Sequence, residues 1–226
     1  MSSSSRQSAR GRRPRGSLTA EGILDAAERV AGEGFEALTV RAVASELQAS
    51  TMALYRYFAT KDDLVDSLLD RVLGRFESTP PTDDWLDDLR RFAREHRRIL
   101  LRHPWAITSL FTHPSPGINA VRIGEEALRV LHRGGISGEH AVATFSGILS
   151  LNYGWSAFTA AREGLRTRGE DQQPTLRDAL SALPPDEYPL TVEVANSMGN
   201  YGSDIHYELV LHQLLVGIKA AAANVP

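Results

Sequence analysis

A three-residue turn between two short amphipathic segments most limits the folds open to this chain of 226 residues. The first segment follows the helix-capping residue Thr39 and repeats apolar residues at the spacing of one helical face. Gln48-Ala49-Ser50 supplies the turn, and residues 51–57 supply the second segment. With the amphipathic helix predicted at residues 19–32, the pattern predicts a helix-turn-helix.

Helical periodicity continues through the rest of the chain, and no convincing pair of strands interrupts it. We therefore predict an all-α fold. Residues 165–188 are polar and rich in proline, and predict a mobile loop with one helical turn at 176–183. The domain organisation that follows is a basic arm at 1–16, a helix-turn-helix domain at 17–63 with a connecting helix over 60–77, and a larger domain at 78–226. Further helices are predicted at 82–103, 118–132, 138–162, 189–198 and 203–223.

Charge is unevenly distributed along the chain. The first 16 residues contain five arginines and no acid. Because the whole chain has a formal charge of −3, the remaining residues carry a net charge of −8. The arm is rich in serine and glycine, which predicts disorder, and its charge indicates a polyanionic partner such as nucleic acid. A solubilising tail is the alternative interpretation of the arm.

Other classes of protein are disfavoured by composition. The absence of cysteine excludes disulfides and thiolate zinc sites. No apolar run reaches the length of a membrane span, and no apolar signal core follows the basic N-terminus, so we expect a cytoplasmic protein without membrane contact. No glycine-rich phosphate loop, nucleophile elbow or paired-carboxylate arrangement indicates an enzyme.

The segment after the turn contains residue types suited to DNA. Leu54 and Phe58 are four residues apart and are predicted to pack inward against Val43 and Leu47, which leaves the other side of the segment facing outward. A tyrosine hydroxyl can donate to phosphate, and arginine can bond phosphate or guanine. For Tyr57, half-buried packing remains the alternative. The outward-facing residues are Thr51, Met52, Tyr55 and Arg56, and Lys61 follows in the first turn of the next helix.

Two stretches carry a family resemblance: LTVRAVASEL at 38–47 and LYRYFATKDDL at 54–64. They resemble the DNA-binding domain of TetR/AcrR-type repressors over about residues 18–76. More weakly, WLDDLR at 85–90, LLRHP at 100–104 and LHRGGIS at 131–137 are similar to the ligand-binding domain of the tetracycline repressor branch. The resemblance implies a homodimer on double-stranded palindromic operator DNA, released by a small effector.

Residue roles follow from that resemblance. Arg41 matches a base-contacting arginine, and the start of the recognition helix matches Thr51, Met52 and Ala53. Met52 is apolar where hydrogen-bonding residues or proline are common, so it would read best against a thymine methyl group. The positions implied for phosphate contact are Thr39, Tyr55, Tyr57 and Lys61. Apart from the resemblance, residues 17–63 carry a net charge of −4, so the arm arginines, including Arg12, Arg13 and Arg15, are expected to supply much of the non-specific affinity.

The second domain is expected to provide dimerisation and a ligand pocket. The helices at 138–162 and 203–223 are more apolar than one buried face requires, which indicates burial on several sides. In the family the corresponding pair forms a four-helix bundle with its twin. The expected pocket residues are Trp105, Leu110, Phe111, His113, Asn152, Tyr153, Trp155 and Phe158, although aromatic residues at helical spacing also suit a plain core.

No metal or cofactor is expected. The tetracycline repressor holds its drug through magnesium, but the matching histidine and acidic positions fall at Leu110 and near Phe158. A small shift of the alignment would bring His113 into the metal position, so that possibility stays open. We predict an aromatic or polycyclic, largely apolar effector. The alternative functions are an orphan or architectural DNA-binding protein without an effector, and a dimerisation module with a vestigial DNA-binding head.

Overall fold

The computed structural model describes residues 18–112, 117–167, 176–198 and 201–223. Within these ranges the fold is all-α, as predicted, with twelve α-helices and no strand. The helices are α1 (Ala20–Gly32), α2 (Val40–Glu46), α3 (Thr51–Leu54), α4 (Lys61–Leu73), α5 (Trp85–Arg102), α6 (Ile107–Thr112), α7 (Ile118–Arg133), α8 (Gly138–Thr167), α9 (Leu176–Ser181), α10 (Pro189–Glu193), α11 (Ala195–Met198) and α12 (Asp204–Ala222). None of these helices is both long and apolar enough to cross a membrane.

Contacts divide the chain after Leu64 into two compact units. In the first unit, hydroxyl side chains cap the helices. Thr19, Thr39 and Ser50 each accept a hydrogen bond from the backbone N–H three residues later. Thr60 and Asp63 form the predicted capping box, in which each side chain accepts from the other's backbone N–H at 3.0 and 2.9 Å. Local sequence therefore sets where each short helix begins.

The turn between α2 and α3 closes by a regular C-terminal motif. Gln48 takes φ +52°, the left-handed conformation, and its N–H donates to the carbonyl of Ser45. The N–H of Ala49 reaches back to the carbonyl of Ala44 at 2.9 Å, which completes a Schellman motif. The helical prediction for residues 51–57 was too long, because α3 ends at Leu54. The Leu54 carbonyl then accepts from both Tyr57 and Phe58, which tightens the chain into a turn before α4.

The second unit is built around α5. Asp84 caps this helix by accepting from the N–H groups of Leu86 and Asp87. α5 packs against α7, α8 and α12, and the shared core includes Leu89, Phe92, Ile148 and Leu211. This arrangement brings residues far apart in sequence onto one buried surface.

Several predicted boundaries differ from the structure. The connecting helix predicted over 60–77 ends at Leu73, where the N–H groups of Arg75 and Phe76 bond to the carbonyls of Val72 and Leu73 in a turn. α8 continues five residues beyond the predicted end at 162 and reaches Thr167. The single helix predicted at 189–198 is divided into α10 and α11, because Val194 takes φ −90° and ψ 1°, outside the α-helical region, and interrupts the helix between them. The helix predicted at 82–103 begins only at Trp85, after the Asp84 cap.

Candidate nucleic-acid interface and ligand site

The start of α3 presents an apolar side chain to solvent. Met52 is 72% exposed, although a methionine in a helix this small would ordinarily be buried. Leu54, two residues later, is 2% exposed and forms the inward anchor of the same helix. Such an exposed apolar residue at the beginning of a recognition helix suits contact with the edge of a base. The other predicted contacts that are exposed are Thr39, Arg41, Tyr55, Arg56, Tyr57 and Lys61, while Thr51 and Ala53 are half-buried.

Basic residues in the first unit fall into two groups. Arg29 pairs with Glu46 at 2.8 Å, so this cation is already neutralised. Within the described part of the chain, Arg41, Arg56 and Lys61 form no ion pair, and all three are exposed. Residues 17–63 contain eight acids and four bases, so the three unpaired cations stand out from an acidic background. Arg12, Arg13 and Arg15 lie outside the described residues.

Two hydroxyl groups predicted to meet phosphate differ in availability. The Thr39 oxygen accepts from the N–H of Ala42 at 3.1 Å, which leaves its own proton free to donate. The Tyr57 hydroxyl instead donates its proton to the carbonyl of Leu18, and so links the segment before α1 to the turn after α3. A phosphate contact by Tyr57 remains a prediction, and it requires that internal bond to be exchanged.

The residues predicted to line a ligand pocket are distributed among several contacts. Tyr153 meets Phe111 and His96 edge to face, at ring separations of 6.1 and 5.4 Å. Phe158 packs against Tyr201 at 5.1 Å, farther along α8. Phe111 is 73% exposed, Leu110 is half-buried, and His113 lies outside the described residues. Trp105 packs against His103, whose Nε2 atom accepts from Arg75 at 2.8 Å.

Asn152, predicted as a polar group of the pocket, lies at the centre of a buried hydrogen-bond network. Its amide nitrogen donates to the carbonyl of Ala93 at 2.9 Å and to Nδ1 of His96 at 3.2 Å. Its amide oxygen accepts from the hydroxyl of Tyr207 at 2.8 Å. The network joins α5, α8 and α12. His96 and Tyr207 were not predicted as partners of Asn152. In the sequence each appears only as a polar residue on the apolar face of its helix.

Acidification should destabilise the protein through His96. Burial lowers the pKa of His96 to about 4, and Nδ1 already accepts from Asn152, so a proton there would face another donor. In the unfolded chain the pKa of a histidine is near 6.5. The free energy of unfolding is therefore highest above that pH and decreases as the pH falls towards the folded pKa of His96, because only the unfolded chain takes up the proton there. We expect urea unfolding to show a loss of about 2 kcal/mol between about pH 7.5 and 5.

His96→Gln serves as the matched variant, because glutamine retains an acceptor but does not titrate. Its unfolding free energy should change much less over the same interval. A wild-type protein with equal stability at both pH values would contradict the expected proton linkage.

Both faces of α12 are apolar. Tyr207, Leu211 and Leu215 are buried against the core, while Ile205, Leu209 and Val216 are exposed on the opposite side. Arg94 of α5 binds Glu208 of α12 through three hydrogen bonds of 2.7 to 3.2 Å, which link the two helices. A groove of about 400 Å³ lies between the beginning of α8 and the end of α12. The residues lining it include Ile136, His140, Thr144, Leu214 and Ile218, and none of the predicted pocket residues.

No cluster of three or more histidine, aspartate or glutamate side chains suitable for a metal ion occurs in the ranges that the structure describes. His113, the residue that a shifted alignment would make a metal ligand, is outside those ranges.

Comparison with known proteins matches both units of the chain. The profile described as "Bacterial regulatory proteins, tetR family" matches residues 23–68, and "Tetracyclin repressor-like, C-terminal domain" matches residues 77–222. An HTH-type transcriptional regulator of Saccharopolyspora erythraea is 31% identical over 91% of this chain and 86% of its own. The HTH-type transcriptional repressor DrrR1 of Streptomyces coeruleorubidus is 29% identical over 94% and 82%.

Among solved structures, the TetR family protein ActR of Streptomyces coelicolor in complex with actinorhodin has a TM-score of 0.80 at 26% identity. The match covers 92% of this chain and 99% of ActR.

Proposed function

The chain belongs to the TetR family of transcriptional repressors, and on that premise we propose that it acts as a homodimer on a palindromic operator and leaves it on binding a small, largely apolar effector. Membership in a family of regulators also places the chain outside the enzymes. The observation that carries the DNA-binding part is the coincidence of an exposed methionine on α3 with three exposed cations, Arg41, Arg56 and Lys61, that form no ion pair with any described residue.

Dimerisation is supported by the outer face of α12. An exposed stripe of Ile205, Leu209 and Val216 on a helix whose opposite face is already buried needs a second apolar surface. A second copy supplies a surface of the same kind, because a twofold axis pairs each patch with itself. Exposed Val142 on α8 and the groove between α8 and α12 would extend this interface. The twofold axis would also match a palindromic operator.

Effector release is supported by the likeness to ActR, a protein solved in complex with actinorhodin. In our proposal the effector prefers the conformation that does not fit the operator, and it shifts the population by no more than its difference in affinity for the two states. α4 is the proposed transmitting element, because its first four residues belong to the first unit and the remainder to the second.

Removing one unpaired cation should weaken operator binding more than removing the paired one. We expect Lys61→Ala to lower the affinity evenly for all sequences and to reduce the slope of log K against log salt by about 1. Arg41→Ala should cost about 1–3 kcal/mol and relax base preference. Fluorescence anisotropy on labelled operator, titrated at several salt concentrations, measures both.

Arg29→Ala is the matched control for these variants, since it removes the same charge from the same unit. Because Glu46 already neutralises Arg29, the control should change affinity and salt slope least. Equal losses in all three variants would mean that net charge, and not the surface around α2 and α3, governs binding.

The effector response can be tested by a thermal-shift screen of aromatic and hydrophobic compounds, with and without magnesium, followed by operator release for each hit. A compound that binds the native state raises the melting temperature by mass action. Hits that release the operator without magnesium support the proposal. Hits that need magnesium contradict its metal-free part, and a broad screen in which no compound releases the operator favours the orphan alternative.

A further inference from the structure

Three buried hydrogen-bond donors on α5 and α8 have no acceptor within the described structure: Nε1 of Trp155, Oγ of Ser156 and Nε of Arg97. Ser156 is fully buried, and Arg97 is 7% exposed. The Arg97 guanidinium lies 4.1 Å over the Tyr207 ring, and the Trp155 ring lies 6.1 Å from that ring, edge to face. Ser156 is one helical turn beyond Asn152, the partner of the Tyr207 hydroxyl.

Buried donors without partners destabilise a folded protein, because they give up hydrogen bonds to water and gain nothing in return. Native proteins contain few of them, and places where a chain breaks such a rule are expected to be functional. The nearby oxygens accept from other groups and from none of these three donors. The oxygen of Asn152 accepts from Tyr207, and the carbonyl of Ala93 accepts from Asn152.

The charge around these donors is balanced. Arg97 donates through Nη2 to Asp204 at 2.6 Å, so its positive charge already has a counter-ion. His96 is held uncharged by burial, which lowers its pKa to about 4. An anionic group entering here would meet no uncompensated positive charge and would lose its hydration. An uncharged oxygen with free lone pairs suits the three donors better.

We propose that Arg97, Trp155 and Ser156 form the hydrogen-bonding end of the effector site, and that the effector presents to them an uncharged carbonyl oxygen on an aromatic framework. This inference rests on the proposed function, which supplies the effector. Tyr153 and Phe111, which pack edge to face on the adjoining part of α8 and on α6, offer aromatic surface for the framework. Arg97 and Ser156 were not among the pocket residues predicted from sequence, and Trp155 was predicted only as a lining residue.

The first test needs no ligand. Ser156→Ala removes a buried hydroxyl that has no partner, so it should raise the melting temperature of the unliganded protein. Ser150→Ala, an exposed serine on the same helix, measures the gain from helix propensity alone. We expect Ser156→Ala to exceed this control by about 2–4 °C. A melting temperature below that of the control would show that the Ser156 hydroxyl is already bonded, and would overturn the proposal.

The second test compares fluorenone, fluorene and fluorene-9-carboxylate by isothermal titration on the full chain. Fluorenone should bind most tightly. Trp155→Phe and Ser156→Ala should each weaken fluorenone by about 3–10-fold and leave fluorene within about twofold, because a lost hydrogen bond has that effect on affinity. Equal binding of ketone and hydrocarbon, tighter binding of the carboxylate, or failure of fluorenone and the larger ketones xanthone and anthraquinone to bind would each overturn the proposal.

Operator release separates this inference from the proposed function. A compound that releases operator DNA, and whose affinity depends neither on a carbonyl group nor on Trp155 and Ser156, overturns the inference and leaves the repressor mechanism standing. If no compound releases the operator, the effector response itself fails, whatever the melting temperatures show about the donors.

Discussion

Leu209→Glu is expected to convert the protein to a monomer at micromolar concentration and to lower operator affinity by more than about 100-fold. Leu209 is 55% exposed on the outer stripe of α12, while the inner face of this helix is held to α5 through Glu208 and Asp204. A twofold interface buries each substitution twice, so two carboxylates without partners would enter an apolar surface. A monomer then keeps the contacts of only one half-site, which accounts for the large loss.

Ile118→Glu is the matched control, since Ile118 is an exposed apolar residue on α7, away from the stripe. It should remain dimeric and bind the operator with nearly wild-type affinity. Light scattering after size exclusion gives the mass, and anisotropy on an operator and on an isolated half-site gives the affinities. A Leu209→Glu protein that remains a dimer would show that the outer face of α12 is not the interface.

The local features of the first unit could be predicted because they depend on short-range chemistry. Thr39 and the pair of Thr60 and Asp63 cap their helices through bonds spanning three residues, and the sequence displays both partners together. The early end of α3, at Leu54, was not predicted. It depends on how the Leu54 carbonyl is shared, and the contact of Tyr57 with Leu18 spans 39 residues.

The buried polar network of the second unit could not be predicted from the sequence, because it depends on which helices cross. Asn152 was recognised as a polar group, but its partners His96 and Tyr207 lie 56 and 55 residues away. Periodicity reports which side of a helix faces a core, and it does not report which residue of another helix meets it. Arg97 and Ser156 therefore appeared as an ordinary charged residue and an ordinary small residue until α5, α8 and α12 were seen together.

The partners of the Asp88 carboxylate could likewise not be predicted from periodicity. Replacing Asp88 is expected to have the largest effect on the stability of the protein. It accepts from the N–H and hydroxyl of Thr82 at 3.0 and 2.8 Å, from Arg133 at 2.7 Å, and from Arg91. Asp88 is 5% exposed, and it joins the segment before α5 to α7. Burial alone would raise the pKa of this carboxyl group, but the bonds from Arg133, Thr82 and Arg91 outweigh burial and hold the pKa well below its usual range.

Asp88→Ala should lower the free energy of unfolding by about 3 kcal/mol, because two arginines and a backbone N–H lose their shared acceptor. This figure lies at the low end for a broken buried ion pair, since the side chains of Arg91 and Arg133 are roughly a third exposed and water screens them. For a chain of this size the melting temperature should fall by about 6–12 °C. Asp88→Asn, which keeps an acceptor for Thr82 but no charge, should lose less.

Asp87→Ala provides the control, since Asp87 is the adjacent residue on α5, is only half-buried, and pairs with Arg90 at 2.9 Å and more loosely with Arg91 at 3.6 Å. It should lower the free energy of unfolding by under about 1 kcal/mol.

The pH dependence of stability adds an independent check. Because the folded pKa of Asp88 is depressed, its contribution is complete above the unfolded pKa of about 3.9 and is lost as the pH falls through the folded value. The stability difference between wild type and Asp88→Asn should therefore be constant from about pH 8 to 5 and narrow below about pH 4. A difference that vanished already near neutral pH would mean that the carboxylate is not held in its charged form by these partners.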